Sequence, residues 1–253
     1  SFWLPEVNWY RNPGEKRLRL GLLWEQNLLM NTNQKTNELC QFIDIDGDGK
    51  REWIANQWNK NAPTIVWYQD DKGKFKSHTI GPKSGHGIGF GDLNNDGRSD
   101  IVIGTGWYER PEGNLYAGQW RFHQSWTKHL SCPVLIRDVN GDGKNDLLWG
   151  NPHDYGIFAW LSKGFDASGS FLYDEVMIDD SFSQAHALHF ADLNGDGIDE
   201  LITGKRVYGH NGRDPGADDV PVVMYYTWDK EFKNFGKHVA AKGAGAGLHI
   251  VTA

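Results

Sequence analysis

"DIDGDGKRE", residues 44–52, sets three aspartates at alternate positions, then a glycine, then a final acid. Carboxylates this close repel one another unless a positive charge sits between them. The arrangement returns as "DLNNDGRSD" (92–100), "DVNGDGKND" (138–146) and "DLNGDGIDE" (192–200), with first aspartates 48, 46 and 54 residues apart. More than the loop recurs. An apolar run precedes each copy ("LCQFI", "GIGFG", "VLIR", "ALHFA") and a second one follows it ("EWIAN", "DIVIG", "DLLWG", "ELITG"). Further on come the aromatics Trp67-Tyr68, Trp107-Tyr108, Trp160 and Tyr225-Tyr226. Units tend to close on an aromatic with a basic tail: "FKSHTI", "WTKHL" and "FGKHV".

The apolar runs are four to six residues long, bounded by turn formers and rich in β-branched or aromatic side chains, which marks them as strands. Nothing shows a useful helical period. Tandem four-stranded units of about 40 to 60 residues pack radially as propeller blades. The expected fold is therefore all-β: a β-propeller of four-stranded blades with DxDxDGxxD loops. It forms one domain over 1–253, with repeats around 38–83, 84–130, 131–182 and 183–243 and partial units at both ends. "VNWYRNPGE" (7–15) resembles "TGWYERPEG" (105–113), so the chain is expected to begin inside a unit. "AGLHIVTA" (246–253) reads as a first strand, and the whole as part of a longer, six- or seven-bladed ring.

The loop pattern matches the first half of an EF-hand loop, flanked by strands instead of helices. Positions 1, 3 and 5 supply side-chain oxygens: Asp44, Asp46 and Asp48; Asp92, Asn94 and Asp96; Asp138, Asn140 and Asp142; Asp192, Asn194 and Asp196. Position 7 supplies a backbone carbonyl (Lys50, Arg98, Lys144, Ile198) and position 9 the last acid (Glu52, Asp100, Asp146, Glu200). Oxygen-only donors select a hard cation, and a flexible set of this size suits Ca²⁺ over Mg²⁺. One structural Ca²⁺ per loop is expected. A hairpin turn without metal would explain one such loop; four alike favour the ion.

The alternate and terminal positions of these loops hold 13 of the 33 carboxylates, and four divalent cations, eight positive charges, would take the net charge from −7 to +1. The acidity thus belongs to the metal sites and says little about a cationic partner. No basic stripe suggests nucleic acid, and no apolar run approaches the ~18 residues of a membrane span. Cys40 and Cys132 lie in different repeats and are expected to be unpaired and buried.

With those motifs in view, the repeat resembles the FG-GAP/VCBS class of calcium-binding propeller repeats, also seen in integrin α-subunits. "HGIGFGDLNNDGRSDIVIGTGWYERP" and "HALHFADLNGDGIDELITGKRVYGHNGRDPG" resemble a group of bacterial VCBS-repeat proteins that are typically exported. This resemblance implies a secreted, periplasmic or cell-surface protein, any leader being removed or outside this sequence. Some propellers of related appearance are polysaccharide lyases acting on ulvan or rhamnose–glucuronate chains. No motif here aligns with their catalytic residues.

Chain direction locates a site. Each first strand runs towards its acidic loop, so residues before first strands and after second strands share the opposite face. Six positions ahead of the loops stand Glu38, His86, Cys132 and His186. After second strands come "GNPHDYG", with His153 and Tyr155, and "GKRVYGHNGRDPGADD", with Lys205, Arg206, Tyr208, His210 and Arg213. A structural histidine is the ordinary outcome for any one of these; two in register, His86 and His186, point to a site. Trp107 reads as core between blades. One function is β-elimination on an acidic polysaccharide: Arg206 neutralising a uronate carboxylate, His86 or His186 as base, Tyr155 or His153 as acid. The alternative is a non-catalytic propeller binding carbohydrate or protein at that face.

Overall fold

Side chains alternate sides along a strand, so each strand of a repeat can feed two different cores. The structure, a computed structural model, describes residues 5–128, 130–247 and 249–252, without the Cys132 side chain. A hairpin of β1 (Glu6–Arg11) and β2 (Glu25–Asn31) comes first, spanned by a single helical turn, α1 (Glu15–Leu18). The first blade is β3 (Asn37–Ile43), β4 (Glu52–Gln57), β5 (Thr64–Gln69) and β6 (Phe75–Gly81). The second is β7 (Gly87–Gly91), β8 (Asp100–Ile103), β9 (Gly106–Glu109) and β10 (Arg121–Gln124). The third is β11 (Cys132–Arg137), β12 (Asp146–Gly150), β13 (Tyr155–Phe165) and β14 (Phe171–Ser183). The fourth is β15 (Ala185–Ala191), β16 (Glu200–Lys205), β17 (Val222–Trp228) and β18 (Phe235–Lys242). Within each blade the strands pair antiparallel in sequence order, the arrangement of a β-propeller.

The cores lie between blades. In β8, Ile101 and Ile103 pack with Leu39, Ile54 and Ile80 of the first blade, whereas Val102 between them packs with Leu147 and Trp160 of the third. Likewise Leu147 faces the second blade and its neighbour Leu148 the fourth. Burying each such side chain stabilises the fold by about 1.5–3 kcal/mol. Trp107 is 2% exposed and belongs to this packing, as expected.

Blades two and three are joined further: β7 and β11 pair in parallel, Gly87 opposite Cys132 and Gly89 opposite Val134. A Cβ on Gly89 would lie 2.3 Å from the Val134 carbonyl oxygen, so only glycine lets these inner strands meet.

Three expectations need correction. The fourth strand of the second blade is β10, ahead of "WTKHL"; Trp126 there turns inward and its indole donates to the Gly104 carbonyl at 2.9 Å. Residues 249–252 form no strand. Cys40 is a free thiol but exposed, because the alternation of β3 buries Leu39 and turns Cys40 to the uncovered side. The Cys132 side chain lies outside the described residues. Among the described residues no helix is long and apolar enough to cross a membrane.

Candidate functional site

First strands leave one end of the propeller, reach the acidic loops at the other, and second strands return. A cavity of about 1030 Å³ opens at the end away from the loops, with Glu38, Trp58, His86, His153, Arg206 and Tyr208 in its lining.

Two groups of side chains build it. Glu38, near the start of β3, contacts Nε2 of His86, the residue before β7, and its other oxygen lies 3.1 Å from Nε2 of His186 in β15. The His186 ring is wholly buried, and neither of its nitrogens has a hydrogen-bond partner. In the second group Asp214 lies 2.9 Å from His210 Nδ1, 3.5 Å from His153 Nδ1 and 3.5 Å from the Arg206 guanidinium, which also donates to the Pro152 carbonyl at 3.0 Å. Stacked imidazoles join the groups: His86 and His153 rings are 5.0 Å apart, His153 and His210 rings 4.3 Å.

These contacts set the charge states. Burial alone would raise Glu38, but the two imidazoles against it outweigh that and hold it well below its ordinary value. Burial, then the neighbouring His86 and His210, push His153 down to about 4. Burial also lowers His186, with Glu38 opposing. Asp214 is lowered by its histidines against the pull of burial. At neutral pH the cavity therefore presents the ionised carboxylates of Glu38 and Asp214 beside the neutral imidazoles of His153 and His186.

Residues beneath the lining hold it in place. Asn56 in β4 is 1% exposed; its oxygen accepts the backbone N–H of Glu38 and of Leu39, at 3.2 and 2.6 Å, and its amide donates to the His86 carbonyl. One side chain thus ties two blades at the cavity floor. Lys205, fully buried at the end of β16, donates to the Gln184 side chain and the carbonyls of Arg206 and Ala217, anchoring the 206–217 loop.

The structure brings His86, His153 and Arg206 into one lining, with His186 directly beneath. Tyr155 is not in that lining; its phenol donates to Asp219 at 2.7 Å. Sequence reasoning missed Asp214, Asn56 and Trp58. Asp214 stood inside a quoted loop, and its spacing of four from His210 was the available signal.

The opposite end carries the four acidic loops in one shared geometry. The first aspartate accepts the N–H of the glycine at position 6 at 2.8–2.9 Å in every copy (Gly49, Gly97, Gly143, Gly197). Those glycines take φ of 84, 84, 83 and 85°, a left-handed turn that side chains disfavour. Position 9 in each copy accepts the N–H of position 2 at 2.8–3.0 Å. Asp100 and Asp146 use their other oxygen for Arg110 and Ser162 N–H groups. Burial, aided by the loop aspartates, raises Glu52 and Asp100 to about 7 and Asp146 to about 6. Ligand atoms of Asp44, Asp46 and Asp48 lie within 4.8 Å of one another, an oxygen-only set that fits a hard divalent cation. Neighbouring loops also brace one another: Asn145 bonds Asn95 at 3.2 Å and the Asp92 carbonyl at 2.5 Å.

The family described as FG-GAP-like repeat matches residues 44–103 and 138–203, two spans that each include acidic loops and the strands around them. The chain is an FG-GAP-repeat protein. It is similar to integrin alpha-PS3 of Drosophila melanogaster, 22% identical over 237 residues, covering 83% of this chain but 20% of the integrin. Among solved structures, it superposes on an Agrocybe aegerita lectin described as recognising non-reducing terminal N-acetylglucosamine, with a TM-score of 0.53 and 18% identity. That match covers 94% of this chain and 61% of the lectin, so the chain spans less than two thirds of either relative. The Vibrio cholerae biofilm matrix protein Bap1 also matches, at 18% identity over 80% of this chain and 29% of Bap1, with a TM-score of 0.38 that carries no weight.

Proposed function

We propose that this FG-GAP propeller is a calcium-stabilised, extracellular binding module that takes a saccharide in the cavity opposite its acidic loops. The observation that carries this reading is the composition of the lining. Trp58 and Tyr208, 47% and 66% exposed, offer flat apolar faces on which a sugar ring can stack. Asn37, Ser131, Glu38 and the imidazoles between them offer donors and acceptors for hydroxyls. The lectin among the structural neighbours and the integrin among the sequence relatives are consistent with a binding role outside the cell.

The charge balance favours a neutral sugar over an acidic one. Arg206 already faces Asp214 and the Pro152 carbonyl, and Glu38 already faces two histidines. β-Elimination on an acidic polysaccharide, the other reading of the sequence, needs Arg206 for a uronate and Tyr155 or His153 as acid. Arg206 is paired, Tyr155 is committed to Asp219, and His153, pushed down to about 4 chiefly by burial, carries no proton to give at neutral pH.

Calcium enters at the loops. Positions 1, 3 and 5 of each copy would hold the ion with the carbonyls of Lys50, Arg98, Lys144 and Ile198. Position 9 (Glu52, Asp100, Asp146, Glu200) pins the loop base and shares in its charge. The ion supplies positive charge where carboxylates converge; the loops remain structural.

The test is a glycan array probed with the calcium-loaded chain, followed by titration calorimetry on the best ligand. Binding should weaken about tenfold or more in Trp58→Ala and in Tyr208→Ala, the size expected for a lost stacking face. Absence of binding to any glycan would defeat the proposal. Appearance of unsaturated uronate products on acidic polysaccharides would instead put the elimination reading ahead.

A further inference from the structure

Glu38, His86 and His186 come from three different blades, yet one ligand atom of each lies within 4.8 Å of the other two. We infer that these three residues form a second kind of metal site, one that holds a divalent transition-metal ion of the zinc class at the cavity floor. Two imidazole nitrogens and one carboxylate oxygen make a donor set of borderline softness, unlike the all-oxygen loops at the other end. Three protein ligands leave coordination positions open, and both Glu38 and His86 line the cavity, so those positions face it.

A plain Glu–His cluster accounts for the site less well. The His186 ring is 0% exposed, and neither nitrogen has a hydrogen-bond partner although Nε2 lies 3.1 Å from the Glu38 carboxylate. A buried imidazole short of hydrogen-bond partners is destabilising, because burial has removed the water that would otherwise satisfy it. A cation bridging Glu38, His86 and His186 would take the Nε2 lone pair, which faces the Glu38 carboxylate without hydrogen-bond geometry. The scaffold around it is also built: the buried Asn56 side chain joins the Glu38 backbone to the His86 carbonyl and so fixes two of the three ligands relative to one another.

His153, His210 and Asp214 form a similar group within the same distance limit. There the Arg206 guanidinium lies 3.5 Å from Asp214 and already supplies the positive charge, so a second dication would be repelled. The Glu38 group has no guanidinium or ammonium ion-paired to its carboxylate among the described residues.

The site stands independently of the saccharide reading, since it is read out by the metal alone. The tag-free full chain is equilibrated with Zn²⁺ in excess Ca²⁺, desalted, and its zinc measured by plasma mass spectrometry, with affinity from a competing chromophoric chelator. One equivalent of zinc should be retained, and Co²⁺ in its place should give visible d–d absorption. His86→Ala and Glu38→Gln should each weaken Zn²⁺ more than about tenfold, since even outer-shell changes cost 10–100-fold. His210→Ala should bind zinc as the wild type does. Calcium-loaded melting curves identify any variant that fails to fold, and the near-isosteric Glu38→Gln keeps the test decisive should His86→Ala prove unstable. Zinc lost on desalting, or unaffected by both substitutions, or lost equally in His210→Ala, would overturn the site.

Discussion

The two ends of this propeller are built on opposite rules. At the loop end four copies are nearly superimposable in their contacts: the same first aspartate, the same glycine turn, the same position 9 acid bonding position 2. At the cavity end the four equivalent positions are a glutamate, two histidines and a cysteine, and the loops beyond the second strands differ in length. Repetition serves stability, because every blade needs its hairpin closed in the same way. Divergence would serve the proposed recognition, because a single cavity receives unlike side chains from all four blades. The difference teaches that conserved geometry around the ring and chemistry at the mouth can vary separately.

That separation can be broken by experiment. The largest expected effect is on the loop end: a calcium chelator should lower the melting temperature by at least about 10 °C. Each ion bound at a hundred times its Kd adds about 2.7 kcal/mol, and 1 kcal/mol moves a domain of this size by ~2–4 °C. An unchanged melt would remove calcium from the account. Next in size is Asp146→Ala. It strands the buried N–H groups of Val139 and Ser162 and should cost about 2–4 kcal/mol in a denaturant titration, with saccharide affinity little changed in whatever fraction folds. At the cavity end the pattern should reverse: Tyr208→Ala should cost about 1 kcal/mol or more of ligand affinity and leave the melt within about two degrees of wild type. A Tyr208 variant that melts early would blur the distinction between the ends.

The smallest effect is on pH dependence. His153 is held down to about 4 in the fold, whereas an unfolded histidine titrates near 6.5. The unfolded chain therefore binds the proton first as pH falls. His153 leaves stability untouched above pH 6.5 and erodes it as pH drops from there towards about 4. Because the ring is 37% exposed, water screens it, and a shift of only one to two degrees, roughly, is expected across that window. His153→Asn should flatten that part of the curve; a steeper curve in the variant would contradict the assignment.

Much of this was legible beforehand, for local reasons. A loop that wraps an ion needs carboxylates at alternate positions and a glycine at a left-handed turn, so its pattern is written within nine residues. Blade strands are equally local, since burial on both faces demands short apolar runs. What was misread depends on long-range packing. Trp126 looked like a strand end, yet its side chain is drawn into the core between blades two and three. Cys40 sits in an apolar run but on the uncovered side of β3. Tyr155 begins β13 at the right face, yet it reaches Asp219, 64 residues away, and not the cavity.

The sequence by itself determined the strands, the repeat, the acidic loops and the end of the propeller at which histidines gather, because each follows from spacing along one stretch of chain. Only the tertiary structure decided which of those residues meet. Glu38, His86 and His186 belong to three blades, and Asp214 reaches His153 across 61 residues, through a loop whose path is held by the buried Lys205. No local pattern encodes such meetings. They arise when inter-blade cores set the blades side by side and bring distant side chains within a few ångströms at the mouth of the channel.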